Sequence, residues 1–154
     1  MSQSTHKSFE YLKSAVMTAT PEQLQLMLLD GAIRFSAKAR EALEKKDIEG
    51  TFNALERAQR IVLELINGMN RDANPGLVDQ MAGLYNFVYR RLVEANMKRD
   101  PQAIADALRI LEHQRETWRL LIDKVSRAAQ SPIAVQADPG NSADHSAGAL
   151  SLEV

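Results

Sequence analysis

The chain has no cysteine among its 154 residues. Disulfides and thiolate-held metals are therefore excluded, and the composition suits a reducing compartment such as the cytosol. Long apolar runs are missing too. The opening MSQSTHKSFEYLK holds no stretch of signal-peptide length, and nothing later approaches ~18 consecutive apolar residues. Neither a secretory signal nor a transmembrane insertion is expected. Charge of one sign is also lacking: the formal net charge is -1, where a general nucleic-acid binder carries a basic excess. No segment alternates with period two, and no internal repeat is found.

Chemistry-bearing motifs are equally sparse. The histidines are His6, His113 and His145, and no Glu-x-x-His pair accompanies them. That pair marks di-metal carboxylate bundles. There is no Gly-x-Ser-x-Gly and no phosphate-binding glycine loop. The expectation is a protein that is not an enzyme and needs no cofactor or metal.

What the sequence does contain is helix punctuation. Thr20-Pro21-Glu22-Gln23 places a capping threonine, a proline at the first helical position and a glutamine that completes a capping box. A helix should run from there to about Lys45. Asp47 opens a second, to about Met69. The stretch NRDANPG punctuates, and a third helix covers about Leu77 to Lys98. Asp100-Pro101 repeats the cap-and-proline device and opens a fourth, to about Arg127. Four such helices on short connections predict an all-α, antiparallel up-down four-helix bundle. The expected boundaries are an N-terminal segment at 1–19, the bundle at 20–127, and a disordered tail at 128–154. The tail is rich in Ser, Ala, Gly, Pro and Asp and too poor in apolar surface to offset its ordering entropy. Phe9, Tyr11 and Leu12 of the N-terminal segment leave docked and loose arrangements both open.

The apolar residues exceed the needs of one core. On the segment from Pro21, Leu24, Met27, Leu28, Gly31, Phe35, Ala39 and Leu43 form one face, on which Gly31 implies close approach of a neighbouring helix. Leu26, Leu29, Ile33 and Ala37 form a second stripe roughly opposite. The next helix carries a broad arc from Ile48, Phe52 and Leu55 to Ile61, Val62, Leu65 and Ile66. In the third, Leu77, Met81, Leu84, Val88 and Leu92 make a seam widened by Val78, Tyr85, Tyr89 and Val93. In the fourth, Ile104, Ala107, Leu108, Leu111, Trp118, Leu121, Ile122 and Val125 should face inward, with Arg115 reaching out from their edge. Three readings of the surplus stay open: the protein covers it itself, a second copy covers it, or it is a groove for another protein's helices. Arg90, Arg91, Lys98 and Arg99, with Glu94 and Asp100 beside them, read as a solvated face; the alternative is a rim for an acidic partner or RNA.

Residues TPEQLQLMLLDGAIRF resemble the signature of the flagellar secretion chaperone FliS family. Tyr11, LYNFVYRRLVEANMKRD at Leu84 to Asp100, and Trp118 follow the family's order and spacing, so the likeness spans about Tyr11 to Val125. Leu29 stands where the family often has tyrosine, and RDANPG replaces a more usual Leu-Asp and Gly-Gly stretch. The resemblance implies a cytoplasmic bundle that binds the disordered C-terminal segment of flagellin as helices and prevents early polymerisation. It also implies delivery to the export gate, whose membrane component is FlhA. By the same likeness Tyr11 belongs to a movable N-terminal cap that engages the gate. Set beside the stripes, this makes Leu26, Leu29, Ile33, Phe52, Ile61, Leu65, Tyr85, Tyr89 and Val93 the candidate client-facing residues. A helical adaptor for another client is the alternative, and a weak homodimer is a further expectation.

Overall fold

The computed structural model describes residues 2–70, 72 and 74–130. Five helices follow one another: α1 (Ser2–Thr18), α2 (Pro21–Glu44), α3 (Ile48–Asn67), α4 (Pro75–Lys98) and α5 (Pro101–Gln130). One compact unit ends at Ile122, and a second begins at Asp123. Of the second, residues 123–130 are described; they are helical and exposed, with an Arg127–Asp123 pair at 3.1 Å. Residues 128–130 of the expected tail continue α5, and its remainder, 131–154, lies outside the described residues.

The helix ends follow local chemistry. Thr20 sits in extended backbone, and its Oγ1 accepts from the Gln23 N–H at 3.1 Å while the Thr20 N–H donates to Gln23 Oε1 at 3.0 Å. This is the reciprocal capping box read from the sequence. Asp47 Oδ1 accepts from the Gly50 N–H at 2.9 Å to open α3, and Asn74 Oδ1 accepts from Leu77 at 3.3 Å to open α4. The cap on Asn74 puts Pro75 at the first helical position, so α4 begins two residues earlier than expected. Lys46 and Arg99, at φ 61° and 53°, make the left-handed turns that end α2 and α4.

Helices α2 to α5 form the antiparallel four-helix bundle. Across α2 and α3, which approach most closely, Gly31 faces Ile61, and Gln25 lies near Gly68. Across α4 and α5, Arg91 pairs with Asp106 and Leu84 borders the same cleft as His113. In each pair one number rises as the other falls, as antiparallel packing demands. Leu29, Leu55, Val62, Leu65, Tyr85, Val88, Leu92, Ile104 and Leu111 are fully buried between the helices. Each such Leu or Ile contributes about 1.5–3 kcal/mol by leaving water.

The two stripes expected on α2 need correction. Its buried line runs through Gln25, Leu29, Ala32, Ser36 and Ala39, which at about 100° per residue lies midway between the stripes. The stripes are the two shoulders of one broad buried arc. Alanine and serine score poorly as apolar residues, so this line was not visible in the apolar pattern. Gly31 lies close to α3: a Cβ built there meets Ile61 Cδ1 at 3.2 Å.

Two further corrections concern exposure. The N-terminal segment is a fifth helix that the cap signals did not reveal, and none of its described side chains is buried. On α5, Leu121 is exposed rather than inward; it lies beyond Trp118, opposite the N-terminal end of α4. Val125, in the second unit, is exposed as well.

Candidate partner-binding surface

Large apolar side chains remain in water along the bundle. On α3, Ile48, Phe52 and Leu63 are exposed, Phe52 to 51%. Helical spacing places the three on one side of α3, next to half-buried Ile66. On α4, Leu77, Leu84, Phe87 and Met97 are exposed, Met97 to 78%. Leu84 opens into a cleft of about 310 Å³ against Ile110, His113 and Gln114 of α5. On α1, Phe9, Tyr11, Leu12, Val16 and Met17 are all in water. In this structure the N-terminal helix leaves its own apolar side chains uncovered, which is not the self-covered arrangement left open by the sequence.

The ten candidate residues divide three ways. Tyr11 (79% exposed) and Phe52 lie on the surface. Leu26, Ile61, Tyr89 and Val93 are half-buried at the shoulders of their helices. Leu29, Ile33, Leu65 and Tyr85 are in the core. For these four the expected surface placement is corrected: the true inward line of α2 is rotated toward Leu29 and Ile33, and Leu65 and Tyr85 face the same interior. Phe87 was missed because it stands outside the apolar arc of its helix, and Leu63 because it extends the α3 arc beyond Phe52. For Phe87, an isolated large hydrophobe at a polar position was the available signal. Leu77 and Leu84, read as part of the seam of their helix, are surface, and so is Ile48 of the broad α3 arc.

Tyr85 puts a polar group in the interior. Its Oη is buried without a hydrogen-bond partner, and burial pushes its pKa up, with the Trp118 side chain acting in the opposite direction. Gln25 Oε1 and Ser36 Oγ are likewise buried and unpartnered.

Two of the four residues of the basic group, Arg91 and Lys98, are paired with carboxylates. Arg91 binds Asp106 of α5 at 2.7 Å and Glu94 at 2.5 Å, and Lys98 reaches Glu94 at 3.3 Å. A hydrogen bond from Gln102, then Arg91, holds the Asp106 carboxyl below its ordinary range; Arg91, then Lys98, does the same for Glu94. Arg91 itself is raised, chiefly by Asp106. Arg91 clamps α4 to α5, while Arg90 and Arg99 have no carboxylate within 4.0 Å among the described residues. Arg115 reaches out of the α5 face to Asp30 at 3.6 Å, joined by Arg119 at 3.9 Å. No described helix is long and apolar enough to cross a membrane.

Comparison with known proteins agrees with this architecture. The family described as flagellar protein FliS matches residues 2–125. The flagellar secretion chaperone FliS of Bacillus subtilis (strain 168) is 38% identical over 112 residues, 73% of this chain and 83% of that protein. The flagellar secretion chaperone FliS of Salmonella typhimurium is 34% identical over 116 residues, 75% and 86% of the two chains. A crystal structure of a flagellar chaperone from bacteria superposes with TM-score 0.65 at 20% identity, covering 76% of this chain and 98% of that one. That last likeness concerns the fold; the family match and the two relatives carry membership. The chain belongs to the FliS family of flagellar secretion chaperones.

Proposed function

We propose that this protein is a cytoplasmic chaperone that holds the C-terminal segment of flagellin as helices against its exposed apolar surface. Holding that segment prevents premature polymerisation until the client reaches the flagellar export gate. The observation that carries the reading is the row of exposed apolar side chains on α3, Ile48, Phe52 and Leu63, with Leu77, Leu84 and Phe87 on α4. A soluble bundle gains nothing from these in isolation, whereas an amphipathic client helix buries them.

The energetics suit a holding role. Covering ~600 Å² of apolar area gives on the order of 15 kcal/mol gross at ~25 cal/mol per Å². Ordering a disordered client and losing rigid-body freedom remove much of it. The remainder is enough to block self-assembly and small enough to permit release without nucleotide hydrolysis. Of the ten candidate residues, Phe52 is the direct contact; Leu26, Ile61, Tyr89 and Val93 are half-buried, Ile61 on the opposite side of α3 against Gly31. Tyr11, exposed on α1, is the residue we assign to contact with the gate component FlhA. Without client, the same surface supports at most a weak homodimer.

Calorimetric titration with the C-terminal segment of the organism's own flagellin, with circular dichroism alongside, tests this. Saturable binding near one to one, a gain in helix and a negative heat-capacity change are expected. No binding by soluble, monomeric partners would overturn the flagellin reading and favour another helical client.

A further inference from the structure

The opposite side of α3 carries a different surface. There the Phe35 ring of α2 is surrounded by three cations. The Arg34 guanidinium carbon lies 5.2 Å from the ring centroid, Lys38 Nζ 5.4 Å, and the Arg57 guanidinium carbon, from α3, 5.4 Å. The ring forms one wall of a cleft of about 640 Å³ between α2 and α3. Ala42, Gly50 and Ala54 keep the cleft open by their small size, and Lys38, Arg57 and Arg60 edge it.

The cleft keeps an excess of positive charge, although Glu56 also lines it. Arg60 is neutralised by Glu56 at 2.6 Å. Arg91, Lys98 and Arg115 elsewhere also have carboxylate partners. Among the described residues, no carboxylate lies within 4.0 Å of Arg34, Lys38 or Arg57. Arg34 and Lys38 stand four apart on one helix, a like-charge spacing that repels. The ring attracts each cation but brings no negative charge. A concentrated positive potential therefore persists on a chain whose net charge is -1.

We propose that this cleft binds an acidic segment of a protein partner, separately from the apolar surface on the far side of α3. Carboxylates of the segment meet Arg57 and Lys38 in charge-assisted hydrogen bonds, Arg57 in the two-pronged mode that its planar group permits. An apolar side chain of the same segment lies on Phe35 and the alanines. The combination of an aromatic wall with an isolated cationic cluster favours a peptide over nucleic acid. A polyanion backbone asks for an extended basic stripe rather than one compact cluster.

The test uses the full chain and fluorescence anisotropy. The probes are a labelled peptide rich in glutamate and leucine, a copy with every glutamate replaced by lysine, and a single-stranded oligonucleotide. The acidic peptide should bind saturably at low ionic strength, and the lysine copy should not. Arg57→Gln and Lys38→Gln, both on exposed positions, should each weaken binding about tenfold, with helicity unchanged by circular dichroism. Ile48→Ser and Phe52→Ala, on the other side of α3, should leave this binding intact, so failure here is distinguishable from failure of the flagellin reading. Three outcomes overturn the proposal: no saturable binding of the acidic peptide, equal binding by the Arg57→Gln and Lys38→Gln variants, or tighter binding of the oligonucleotide lost with the same substitutions.

Discussion

Replacing Phe52 by alanine should separate client binding from folding. A phenylalanine covers roughly 150–250 Å² when fully buried, and Phe52 is 51% exposed in the free chain. About 100 Å² is thus available to a client helix, or about 2.5 kcal/mol at 25 cal/mol per Å². That corresponds to roughly a sixtyfold rise in Kd for the flagellin C-terminal segment. The rest of the ring already packs on the protein, so folded stability should fall by only about 1–2 kcal/mol. Leu65→Ala is the contrasting variant: Leu65 is fully buried, and its truncation should cost about 2–5 kcal/mol. Calorimetry gives the affinities, and urea denaturation followed by circular dichroism gives the stabilities. An unchanged Kd for Phe52→Ala would refute the assignment of this surface to the client. A stability loss as large as that of Leu65→Ala would show that the ring serves the core.

Three other perturbations probe the fold. Gly31→Ala gains about 1 kcal/mol of helix propensity and meets only the tip of half-buried Ile61 at 3.2 Å; its urea midpoint should stay level or rise, while Gly31→Leu should lose about 1–3 kcal/mol. Ser36→Ala removes a buried hydroxyl with no partner and should stabilise by up to about 1 kcal/mol in the same assay. For Asp106 and Glu94, both held below their ordinary values of 3.8 and 4.5, the contribution to stability is present at neutral pH. It is lost as pH falls from those values through the depressed folded ones. Arg91→Leu should therefore flatten the acid side of the stability curve measured by thermal melts at a series of pH values; an unchanged acid slope would show that the clamp contributes nothing.

Much of the architecture was legible because helix ends are local events. Thr20 and Gln23 cap each other within four residues, and Asp47 meets Gly50 three positions on, so the chain text alone announces where α2 and α3 begin. The family likeness was legible for the same reason, since its motifs are contiguous. The start of α4 was misplaced by two residues because Asn74 and Pro75 read as a loop until the Asn74 cap is seen. The α1 helix carried no cap signal at all.

The client-facing residues were only partly legible. Helical periodicity reports how apolar residues are distributed around an axis, and it does not report which direction points inward. That direction is set by neighbours distant in sequence. On α2 the buried line runs through Ala32, Ser36 and Ala39, and it takes Leu29 and Ile33 into the core with it. Tyr85 was buried by its packing among the other helices, and the exposed positions of Leu63 and Phe87 followed from the same geometry. The sequence by itself determined helix order, helix ends and family. Which apolar side chains are hidden and which stay available to a partner was decided by the tertiary structure, because burial is a property of helices packed against each other and not of any one of them.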